Sequence, residues 1–135
     1  MSELNSANEQ RRADVKALVE LERPIAEALA RLAKYEFDYI GEPIRVRSEH
    51  VSKIAIEFLD GRISANELTA WANRLEANDD VQAEGKTAQE TDEILEAIFD
   101  FANPELSGCS LEDTAKYVRS IMLRHKSVGE SNKHS

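Results

Sequence analysis

Apolar residues recur at helical spacing along most of the chain. Val51, Ile54, Ala55, Phe58 and Leu59 stand at i, i+3, i+4, i+7 and i+8, which aligns them on one face of an α-helix. Ser48 reads as the N-cap of that helix and Gly61 as its stop. Ser64 and Glu67 have the spacing of a capping box, in which each side chain satisfies a backbone N–H at the helix start. Leu68, Trp71, Ala72 and Leu75 then form a stripe that Asn78, Asp79 and Asp80 end, because short polar side chains compete for backbone hydrogen bonds. Thr87 and Glu90 form a second capping box, with Ile94, Leu95, Ile98, Phe99 and Ala102 as the buried face behind it. Asn103-Pro104 stops this helix, since the residue before proline is pushed out of the helical region. Ser110 opens the last helix, whose inner side carries Leu111, Ala115, Val118 and Met122 with Ile121 beside them.

Nearer the N-terminus, Val15, Leu18 and Val19 fit one helix and Ile25, Ala28, Leu29, Leu32 and Ala33 another, with Pro24 between them as a first helical residue or a kink. Residues 35–46 contain Gly41 and Pro43 and read as a loop, with Ile44 and Val46 alternating with Arg45 and Arg47 in a short extended piece. Residues 1–8 and the polar tail 127–135 are expected to be disordered. The predicted fold is therefore all-α, a compact bundle or orthogonal array of five to six amphipathic helices in one domain over residues 9–126.

Composition sharpens this picture. The 135 residues suit one domain, and the 41% apolar and 32% charged fractions are those of a globular protein with a richly charged surface. A lone cysteine, Cys109, cannot form an intrachain disulfide, the first residues lack the apolar core of a secretory signal, and no apolar run reaches the roughly 20 residues of a membrane span. A cytoplasmic protein without membrane attachment is the expectation.

The net charge of −9 is unevenly placed. Residues 76–100 hold nine acids and one base, Lys86, while the rest of the chain is close to balance with 17 acids and 16 bases. Glu90, Asp92 and Glu93 complement a helix N-terminus and need no partner to explain them. Glu96 and Asp100 lie a turn apart beyond the first turn, where the dipole no longer favours acid. An electronegative surface formed by Asp79, Asp80, Glu84, Asp92, Glu93, Glu96 and Asp100 would steer and dock a basic protein. The same charge disfavours direct nucleic-acid binding, which needs basic patches. Arg45, Arg47 and Lys53 are too few to overcome it and are expected to pair with the chain's own acids.

Other chemistry finds little support. His50 has Glu57 two turns on but no second histidine at helical spacing, and the acids near position 80 lack the glycine-centred pattern of a calcium loop, so no metal or other cofactor is expected. Cys109 stands between Gly108 and Ser110 with no histidine nearby in sequence, and no phosphate-binding glycine loop or nucleophile elbow is present. No residue is nominated as catalytic, and Trp71 reads as core.

The stretch 54–108, above all LTAWANRLEANDDV (Leu68 to Val81) and AIFDFANPELSG (Ala97 to Gly108), resembles small helical bacterial immunity proteins of polymorphic toxin and contact-dependent growth inhibition systems. The resemblance implies a non-enzymatic inhibitor that binds a cognate toxin domain in the cytoplasm, with a basic nuclease as an apt target for an acidic surface. No binding residue follows from the resemblance itself. A helical adaptor or self-associating structural protein is the alternative.

Overall fold

The computed structural model describes residues 3–35, 42–76, 80–106 and 108–134, with side chains from Asn8 to His125. Six helices account for most of it: α1 Glu3–Val19, α2 Ile25–Leu32, α3 Ser48–Leu59, α4 Ala65–Glu76, α5 Ala88–Ala102 and α6 Leu111–His134. A 3-10 turn, Pro104–Leu106, follows α5. The all-α architecture expected from periodicity is what forms. The helices pack chiefly in pairs, α1 with α2, α3 with α6 and α4 with α5. Their apolar stripes meet in one core, with Leu18, Val51, Ile54, Leu68, Trp71, Ile94, Phe101, Ala115, Val118 and Met122 among its buried members.

Local signals act largely as read. Ser64 Oγ accepts from the Glu67 N–H, and the Glu67 carboxylate accepts from the Ser64 N–H, so this capping box is complete. Ser110 Oγ accepts from the Asp113 N–H at the start of α6. Pro24 is the N-cap of α2. Trp71 is fully buried, and its indole N–H donates to the Leu18 carbonyl at 3.0 Å, joining α4 to the end of α1.

Three expectations change. First, Ser48 is the opening residue of α3 rather than its cap, because its hydroxyl donates instead to Glu90 across the molecule; His50 Nδ1 accepts the Arg47 N–H. Second, Leu95 and Phe99 do not join the buried face of α5. That face is Glu90, Ile94, Ala97, Ile98, Phe101 and Ala102, a stripe rotated about one position so that Leu95 and Phe99 point outward. Third, helix extends into both ends expected to be disordered, from Glu3 in α1 and to His134 in α6. No proline interrupts residues 111–134, and the single Gly129 costs a helix only about 1 kcal/mol.

A two-stranded parallel pair was only half legible. The extended piece is β1, Ile44–Val46; its partner β2, Val81–Ala83, follows α4 in register Ile44↔Val81, Arg45↔Gln82 and Val46↔Ala83. Ile44 and Val46 turn into the core while Arg45 faces out and donates to Gln82 Oε1 at 2.6 Å. Gly85 then carries the chain into α5. A Cβ there would lie 2.5 Å from the Thr91 nitrogen and 2.7 Å from Glu90 Cβ, so only glycine passes so close to the new helix.

The entry to β2 is fixed by Asp80, which has 0% exposure. Arg74 from α4 grips it through Nη1 at 3.0 Å and Nη2 at 2.8 Å, and Arg11 from α1 adds Nε and Nη2, each at 3.1 Å. Its carbonyl accepts the Ile44 N–H at 2.8 Å. Burial pushes the Asp80 carboxyl up, but Arg74 and then Arg11 more than offset this and hold it below its ordinary value.

Removing the carboxylate strands two guanidiniums. Asp80→Asn is expected to lower the unfolding free energy by about 3–5 kcal/mol in urea titration; a loss within experimental error would show that the triad is not the joint described. Because the folded carboxyl is depressed, its contribution is present above the unfolded value near pH 4 and is lost as pH falls through the folded value. Stability of the native chain should therefore fall on the acid side of about pH 4, and more gently in Asp80→Asn. Gly85→Ala should destabilise by about 1–3 kcal/mol without altering surface charge, as judged by thermal unfolding.

Candidate partner-binding surface

Six of the seven acids singled out from sequence lie among the described residues, and they divide into two groups in space. Asp80 is buried and neutralised by Arg11 and Arg74, so it belongs to the core and cannot meet a partner. Glu84 is exposed but pairs with Arg45 at 3.3 Å and Arg47 at 3.7 Å. Asp79 lies outside the described residues. Glu93 faces His125 Nε2 at 3.4 Å.

Asp92, Glu96 and Asp100 remain. Among the described residues no base lies within ion-pair distance of any of them. They follow one another at i, i+4 and i+8 on α5, one per turn on the same outer face. Together with Glu93 they edge a groove of about 400 Å³ between α5 and α6, whose other wall includes Tyr117, Ile121 and Arg124. Partial burial, and then the neighbouring Glu96 carboxylate, raise the Asp100 carboxyl above its ordinary value. Among the described residues these like charges are crowded and have no base in ion-pair range.

Apolar side chains accompany the acids. Leu95 is 52% exposed and Phe99 44%, one turn apart on α5, while Tyr117 on α6 is 64% exposed. Helical spacing interleaves them: Asp92 and Leu95 are three apart, and so are Glu96 and Phe99.

A second cleft of about 680 Å³ opens between α3, the turn before α5, and α6. Glu90 lies at its base. Its carboxylate accepts from Ser48 Oγ at 2.6 Å and the Lys86 N–H at 3.1 Å, and stands 3.8 Å from His125 Nδ1. Burial pushes this carboxyl up, yet Ser48, the Lys86 N–H and His125 together hold it below its ordinary value. Glu90 thus braces α3, α5 and α6. The expected capping box is half formed, because Thr87 Oγ1 accepts the Glu90 N–H while the Glu90 side chain turns inward. Sequence spacing could not reveal this role, since Ser48 and His125 are 42 and 35 positions away.

A third groove of about 630 Å³ gathers Arg12, Lys16, Arg45, Arg47 and Lys53 around β1. Every one of these bases is engaged by the chain. Arg12 and Lys53 donate to the carbonyls of Glu42 and Glu20. Lys16 pairs with Glu20 and Glu22, and Arg45 of β1 and the adjoining Arg47 share Glu84. The expected pairing of Arg45 and Arg47 with acids of the chain is thus observed, and Lys53 finds a carbonyl instead.

His50 is half-buried, and burial lowers its pKa. Cys109 is exposed and outside any disulfide. Among the described residues no group of three or more His, Cys, Asp or Glu side chains is arranged to hold a metal ion, and no helix is long and apolar enough to cross a membrane. Compared with known proteins, the chain matches no family profile, no curated protein and no solved structure.

Proposed function

We propose that this chain is a non-enzymatic binding protein, a cytoplasmic immunity or inhibitor protein that neutralises a basic toxin domain through the outer face of α5. The observation that carries this reading is the row Asp92, Glu96 and Asp100, three carboxylates at successive turns with no base in ion-pair range among the described residues. Elsewhere the fold compensates its acids when it buries them, as at Asp80 and Glu90. A row left uncompensated is the form expected of a surface that a cation-rich partner completes. A nuclease fits this description, because the surface that holds a phosphate backbone is basic. The resemblance of residues 54–108 to toxin-immunity proteins points the same way.

A second reading, a self-associating adaptor, draws on the exposed Leu95, Phe99, Leu106, Tyr117 and Leu123. The two differ in salt response. Docking on the acids weakens as salt rises, whereas apolar self-association does not.

The tagged protein, incubated with lysate of its native host at low salt and eluted by a salt gradient, should retain a basic protein that leaves only at high salt. The triple variant Asp92→Lys, Glu96→Lys, Asp100→Lys should retain it at least about a hundredfold more weakly, since like charges juxtaposed at an interface cost several kcal/mol. Equal retention by both proteins would remove the α5 face from the interface.

A further inference from the structure

We propose that the outer face of α5 is a two-part docking site for a basic amphipathic helix of a partner protein, with Leu95 and Phe99 seating its apolar side chains and Asp92, Glu96 and Asp100 binding the lysines or arginines beside them. This rests on the acidic-face reading above and adds the kind of element that docks. The apolar pair repeats at i and i+4, and the acids at i, i+4 and i+8, so two parallel stripes run along the same helix axis. An element with matching periodicity, apolar on one side and basic on the next, engages both stripes at once. A helix has that repeat.

Charge decides among possible occupants. A second copy of this chain would bring its own carboxylates against Asp92, Glu96 and Asp100, and the chain as a whole carries −9. An anionic bilayer surface would repel the same row. A cationic helix removes the repulsion between Glu96 and Asp100 while covering Leu95 and Phe99. The apolar contribution supplies affinity that survives salt, and the acids supply orientation and rapid encounter.

The test uses the full chain and three synthetic helical peptides. The first carries leucines at i and i+4 flanked by lysines; the second replaces both leucines by serine at the same charge; the third replaces the lysines by glutamate. The first should bind, with amide chemical-shift changes centred on residues 92–100, while the second binds about tenfold more weakly and the third not at all. In the protein, Phe99→Ser and, independently, Leu95→Ser should each weaken the first peptide about tenfold, with circular dichroism confirming that each variant is folded. The triple change Asp92→Asn, Glu96→Gln, Asp100→Asn should flatten the salt dependence. If the serine peptide binds as well as the leucine peptide, and only the acid substitutions matter, the helix-docking site is wrong and the acidic-face reading stands. If the first peptide fails to bind, or its shifts fall away from α5, the proposal is overturned. Sedimentation showing a dimer that Phe99→Ser dissolves would likewise overturn it, by making a second copy the occupant.

Discussion

The fold turns on one buried carboxylate. Asp80 ties α1 to α4 through Arg11 and Arg74, and its carbonyl begins the pairing of β1 with β2 through the Ile44 N–H. An ionised group at 0% exposure is costly unless every lone pair finds a partner, and here two guanidiniums supply them. Satisfying Asp80 places β2 beside β1, and Gly85 can then pass within close contact of the first turn of α5. The chain enters α5 directly from that joint, and α5 then packs chiefly on α4.

The acids of residues 76–100 consequently do different work. Asp80 and Glu90 are interior braces, one between α1 and α4 and the other among α3, α5 and α6. Glu84 holds the two arginines of β1 and its flank, and Glu93 meets His125. Among the described residues, Asp92, Glu96 and Asp100 form a row with no base in ion-pair range, and two apolar side chains accompany it. In the proposed role, the interior acids hold rigid the helix that displays the outer ones, which lowers the ordering cost of binding.

Helix positions and most core residues were legible because they follow local rules. The stripe Leu68, Trp71, Ala72 and Leu75 is buried in full, and the Ser64–Glu67 box closes as its spacing requires. The misreading of the α5 face has a local cause. Leu95 and Phe99 have the apolar character of a core stripe, but a helix with apolar residues on more than half its circumference does not reveal which part is covered. The buried arc is instead set by Glu90, Ile94, Ala97 and Phe101, and includes a glutamate that only Ser48, Lys86 and His125 make tolerable.

The sequence by itself determined five to six amphipathic helices, the caps of α4 and α6 and the concentration of acid in residues 76–100, because periodicity, capping and charge are properties of near neighbours. The tertiary structure decided which acids are interior and which face outward. It also paired Val81–Ala83 with Ile44–Val46 and turned Leu95 and Phe99 out of the core. Those outcomes depend on Arg11 reaching Asp80 across 69 positions and Ser48 reaching Glu90 across 42. Contacts of that range form only when the packing of the helices brings the partners together, and no local pattern encodes them.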